Sequence, residues 1–235
     1  MHNRTIYRDF YYLFSCIGSK IMKTPKVILI HGIFNVKYCM SWIANHLKKS
    51  NHEVVLFDYP STKYALADLV EWMHPKIQSL ITDPDQPIHF VCHSMGGLLL
   101  RAYLAKYPLP NLSRVVFLAT PYHGSELADT LNSWFKKIYK WLLGPAGLQL
   151  QTSQTPKLFN NPVNFELGVI MGDNPGIQLG CFNGPNDGEV SVESSKVPGM
   201  KDHLLVPKNH TNILIDKNTF FQIDYFLRNG FFSRA

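Results

Sequence analysis

Four short apolar runs, KVILI at 26–30, EVVLF at 53–57, IHFVC at 88–92 and RVVFLA at 114–119, each stop abruptly at polar or turn residues. They are rich in β-branched residues and continuous in their apolarity, the pattern of strands covered on both faces. Stretches of helix length separate them, at 40–49, 66–80 and 95–107, and two further strand-like runs follow at 167–171 and 204–207. Strands alternating with helices require crossover connections, and hence a mostly parallel sheet with helices on both faces. The expected fold class is α/β.

At 235 residues and 46% hydrophobic content the chain fills one substantial core. A single domain over 22–235 is expected, with residues 1–21 as an N-terminal extension and either Met1 or Met22 as the start. The rhythm breaks at about 122–165, where a helical segment around 129–143 is followed by Gly144, Pro145, Gly147 and a polar stretch. This segment reads as an insertion.

The formal charge is +6, but Lys and Arg are scattered and no basic run interleaves with aromatics, which argues against a nucleic-acid partner. What the charge leaves is a modest attraction to anionic lipid surfaces, compatible with peripheral membrane contact. Cys16, Cys39, Cys92 and Cys181 show neither CxxC nor zinc-ligand spacing, so no metal and no disulfide framework is expected. A cytoplasmic location fits best. The apolar stretch 10–17 keeps export open, although Phe14 is bulky where a lipoprotein cleavage site needs a small residue. No pattern specifies an oligomeric state.

Directly behind the third strand stands Cys92-His93-Ser94-Met95-Gly96-Gly97, and a helix follows. A serine between a buried strand and a helix, with small residues after it, meets the steric demands of a nucleophile elbow. A bare N-cap serine would satisfy the helix but not explain the glycines. An activated serine needs a base and an orienting carboxylate, and in the strand–elbow–helix arrangement they follow in the order Ser, acid, His. Asp187, in Asn186-Asp187-Gly188, and His210 supply them 23 residues apart. Asp173, directly after the strand at 167–171, is the second candidate acid, and Asp58 the third. His203 precedes the last strand and belongs to the other end of the sheet, whereas His31, His93 and His123 read as supporting residues. Backbone amides aimed at a developing oxyanion are expected from Ile33, with Phe34 as the fallback, and from Met95.

Taken together, IHGIF, VCHSMGGLLLRAYL, LATPYHGSELAD, PNDGEVSVESS and KNHTNIL resemble the lipase-like branch of the α/β-hydrolase superfamily over residues 26–215. The sequence is similar to bacterial triacylglycerol lipases and to hydrolases related to GPI-inositol deacylases. The resemblance implies a triad of Ser94, Asp187 and His210, oxyanion amides from Ile33 and Met95, and a Tyr122-bearing loop that borders an acyl pocket and leads into a lid. Two residues depart from it. Cys92 replaces the elbow glycine, and Asn212 stands where some of these lipases place a calcium-binding acid, so calcium is not expected.

Within WFKKIYKWLL, Trp134, Ile138, Trp141 and Leu142 fall on one helical face and three lysines on the other. Two readings fit equally, an amphipathic lid over the pocket or a surface helix packed on the core with its lysines solvated; Phe34, Tyr122, Trp134, Ile138 and Trp141 are the expected pocket and lid residues. The expected activity is cleavage of small-molecule or lipid carboxylic esters through an acyl-enzyme, without a cofactor. An acyltransferase or thioesterase on the same triad, or a non-catalytic protein that binds lipid or a partner, are the alternatives.

Overall fold

The computed structural model describes residues 23–155, 159, 161–177 and 180–234, apart from the side chains of 136, 138–140 and 142. The N-terminal extension lies outside them. Six strands, β1 (Lys26–Ile30), β2 (Glu53–Phe57), β3 (Ile88–His93), β4 (Leu112–Leu118), β5 (Glu166–Gly172) and β6 (Asp202–Val206), form one sheet in the order β2-β1-β3-β4-β5-β6. Every pairing is parallel.

Alternation along each strand divides the core. Ile28 and Ile30 of β1, Phe90 and Cys92 of β3, and Val115 and Phe117 of β4 pack on one face beneath α2 (Leu66–Leu80) and α3 (Met95–Lys106). Val27 and Leu29, Val91, and Val116 and Leu118 pack on the other beneath α1 (Ser41–Lys49) and α5 (Lys217–Asn229). Because both faces are covered, neither could be polar, which is why the strands read as continuous apolar runs. The first of these two cores also takes Cys92, which is fully buried, so the elbow forms with a cysteine in the usual glycine's place.

The expected insertion contains α4 (Glu126–Leu148). It starts earlier than its hydrophobic pattern suggests because Ser125 caps it, accepting from Ala128 N at 3.2 Å. The backbone leaves helical geometry at Phe135 (φ −133°, ψ 43°) and at Gly144 (φ 64°, ψ −164°), so α4 is broken rather than straight. Among the described residues no helix is long and apolar enough to cross a membrane.

Strand order reverses at β1, whose neighbours are β2 on one side and β3 on the other. In open parallel sheets such a reversal leaves a crevice beyond the carboxyl ends of the strands, where ligands bind. Ile30 pairs with Cys92, so β1 and β3 deliver His31-Gly32-Ile33 and His93-Ser94 side by side at that crevice.

Candidate active site

Ser94 sits at the turn from β3 into α3 with φ 52° and ψ −127°, a conformation that L-residues rarely adopt. Three hydrogen bonds hold it there. Ser94 N donates to Leu118 O at 2.8 Å, while its carbonyl accepts from Gly97 N at 3.0 Å and from Thr120 Oγ1 at 3.1 Å. The tight turn also explains the small residues around it: a Cβ on Gly96 would lie 2.6 Å from His31 O, and one on Gly32 2.9 Å from Ser94 Cβ. The first-strand loop and the elbow can therefore touch only through glycine.

Asp187 and His210 meet as a buried pair, with Asp187 Oδ2 2.7 Å from His210 Nδ1. The other carboxylate oxygen, Oδ1, accepts from Glu189 N at 2.9 Å and Val190 N at 2.8 Å, so the Asp-Gly turn clamps its own acid. His210 N donates to Asp187 O at 2.9 Å, joining the two loops through backbone as well. A carboxylate fixed at Nδ1 selects the tautomer that leaves Nε2 unprotonated and free to accept.

His93 holds the histidine from beneath. Its Nε2 donates to the carbonyl of His210 at 3.0 Å, and the two rings lie 4.8 Å apart. Burial, reinforced by the neighbouring His210, pushes the His93 pKa down to about 3, so its ring is neutral. His210 departs the other way. Burial disfavours its cation, but the charges of Asp187 and Glu189 and the bond to Asp187 prevail and raise its pKa to about 9.

The rival acids are placed elsewhere. Asp58 faces His31 Nε2 at 3.1 Å. Asp173 is exposed after β5, with its amide bonded to Val206 O. His203 lies within β6 and bonds Ser195 Oγ at 3.0 Å, and His123 is exposed.

Ser94 and His210 line one cavity of about 330 Å³. Ile33 and Phe34 form its wall on the β1 side, and Leu127, Leu131 and Leu143 of α4 form the opposite one. Phe34 also has a positive φ of 59°. Met95 opens α3 next to the serine, and the first amides of a helix have no partner within it.

Three expected pocket residues are placed differently. Trp134 and Trp141 are 71% and 82% exposed and lie outside the lining. A helical wheel drawn straight through 134–143 fails because α4 breaks at Phe135; the turns before the break direct Leu127, Ala128 and Leu131 inward instead. Tyr122 packs in the core, stacked on Phe159 at 5.8 Å. The side chain of Ile138 lies outside the described residues. Sequence reasoning missed Glu189, whose Oε2 is 3.4 Å from His210 Nε2. The signal was its position two residues after the acid, since a turn that returns amides 189 and 190 to Asp187 brings residue 189 back toward the histidine as well.

The family model described as alpha/beta hydrolase fold matches residues 25–163, more than half of the 235-residue chain. The chain belongs to the α/β-hydrolase fold family. Among curated proteins, this α/β-hydrolase is similar to the lysosomal thioesterase PPT2 of Homo sapiens, 26% identical over 109 residues. That match covers 44% of this chain and 36% of the human protein, so it spans only about a third of the relative's length. The Bos taurus thioesterase PPT2 is 22% identical over 230 residues, covering 85% of this chain and 73% of the relative. Among solved structures, the mature lipase BlEst2 of Bacillus licheniformis superposes with a TM-score of 0.72 at 20% identity, covering 88% of this chain and 92% of that one. At this level the comparisons show the α/β-hydrolase fold, and the lipase-like architecture is that of the fold the chain shares.

Proposed function

We propose that the chain is a serine hydrolase of carboxylic esters in which Ser94 is the nucleophile, His210 the general base and Asp187 the acid that orients it. The observation that carries this reading is a serine at φ 52° on a strand-to-helix turn, in the same cavity as an imidazole whose far nitrogen is bonded to a buried carboxylate at 2.7 Å. His210 Nε2 takes the Oγ proton as Oγ attacks the acyl carbonyl, and the amides of Ile33 and Met95 hold the oxyanion. The imidazolium then protonates the departing alcohol, and water, activated by the same nitrogen, releases the acid and restores Ser94. Apolar walls from α4 suit an aliphatic or aromatic acyl chain. Phe34 in the lining is exposed, as are Trp134 and Trp141 of α4, which suits a substrate presented at a lipid surface.

A thioester substrate is the second reading, favoured by the bovine thioesterase, whose similarity extends over 85% of this chain. The steps are the same, with a thiol leaving. A fluorophosphonate probe tests the nucleophile without presupposing the substrate. Intact mass should show one adduct on the parent protein and none on Ser94→Ala, and paired oxoesters and thioesters of equal acyl length then separate the two readings. A folded parent that stays unlabelled, with and without detergent, would reject acyl chemistry in favour of a binding role.

A further inference from the structure

The cavity that holds Ser94 and His210 is lined by apolar and neutral polar residues, with histidines and a single carboxylate, Glu189, and by no Lys or Arg among the described residues. Glu189 is not a stray surface acid. Its amide donates to Asp187 Oδ1 at 2.9 Å, and its carbonyl accepts from Ser125 Oγ at 2.6 Å, so its backbone is fixed between the acid turn and the start of α4. From there the half-exposed carboxylate reaches to 3.4 Å of His210 Nε2, the nitrogen that exchanges protons with substrate. Lys208, two residues before His210 in the chain, is paired with Asp216 at 3.0 Å.

We propose that Glu189 is a specificity-determining residue that makes this site prefer esters and thioesters with a cationic leaving group over those with an anionic one. The inference rests on the ester-hydrolase reading. A leaving oxygen or sulfur must come within hydrogen-bond reach of His210 Nε2 to be protonated. A charge a few atoms beyond that oxygen then lies within several ångströms of the Glu189 carboxylate, with no Lys or Arg among the described lining residues to offset it. In a partly hydrated cavity, unit charges about 6 Å apart alter a rate by roughly tenfold in either direction.

The test uses the full chain and three butyrate esters of similar size, those of 3-hydroxyphenyl-trimethylammonium, 3-nitrophenol and 3-hydroxybenzoate, each rate divided by its rate of alkaline hydrolysis. The wild type should favour the cationic over the anionic ester by roughly a hundredfold at low salt, and by less as salt screens the carboxylate. Glu189→Gln should bring that ratio close to one, and Glu189→Lys should invert it. A wild-type ratio that Glu189→Gln leaves unchanged, while the neutral ester is still cleaved in a Ser94-dependent way, overturns the role of Glu189 alone. If the wild type cleaves none of the three and takes no fluorophosphonate, the hydrolase reading fails and this inference fails with it.

Discussion

At the residue scale the proposed chemistry converges on His210, because a general base works only while neutral and the imidazole proposed for that role is flanked by two carboxylates. Its pKa, opposed by burial but raised by Asp187 and Glu189 to about 9, places the protonated form in the majority at neutral pH. The sign follows directly: kcat/KM for a neutral ester should climb with pH and reach half its plateau near pH 9. Glu189→Gln removes one raising charge and should move that midpoint toward acid; a pH–rate profile that does not move would separate Glu189 from the base. Asp187→Asn keeps the shape but offers the wrong partner to Nδ1, and turnover should fall on the order of ten-thousandfold in the same assay.

At the scale of elements, α4 lines the cavity, and Ser125 and Gly144 are two of its anchors. Ser125 Oγ both accepts from Ala128 N and donates to Glu189 O, so one hydroxyl caps the helix and ties it to the acid turn. Ser125→Ala should cost about 1 kcal/mol in stability, read from denaturant midpoints, and hydrogen exchange should quicken in the first turn of α4. Gly144 lies where the chain turns with φ 64°, and a Cβ there would sit 1.7 Å from Thr62 O. Gly144→Ala should therefore destabilise by about 2 kcal/mol or more. An unchanged melting temperature would mean that this turn yields freely and does not pin α4 to the segment before α2.

Over the whole molecule, buried histidines set how stability responds to pH. Burial holds His93 down to about 3 and His89 to about 4, and lowers His31 and His203 in the same direction. The unfolded chain binds protons on these rings first, so stability is lost as pH falls below the unfolded value of about 6.5. His210 has the opposite sign. Its raised pKa contributes stability that is complete below about 6.5 and disappears as pH climbs through 9. Urea midpoints across pH 4 to 9 should fall on both sides, with a steeper acid limb that loses on the order of 5 kcal/mol by pH 4. A flat acid limb would show that the buried rings protonate without unfolding the protein.

Much of this was legible along the chain because the responsible forces act locally. Continuous β-branched runs declare strands covered on both faces, and Ser94 with Gly96 and Gly97 declares a turn that only small neighbours permit. Such constraints are carried by adjacent residues and need no partner to be recognised. The order Ser94, Asp187, His210 was readable for the same reason, as a serine behind one strand, an acid in an Asp-Gly turn and a histidine behind the last strand. What the chain alone left open was which acid faces which histidine, because Asp58 and Asp173 directly follow strands whereas Asp187 stands in a turn. Register and sheet order settle that, turning Asp58 to His31 and Asp187 to His210. The wall of the cavity was likewise undecided, since a break at Phe135 means that residues before and after it share no single helical face, and Trp134 and Trp141 both stand exposed. Local patterns determine where elements form; which side chains share a cavity depends on distances between elements remote in sequence, and those exist only once the sheet has assembled.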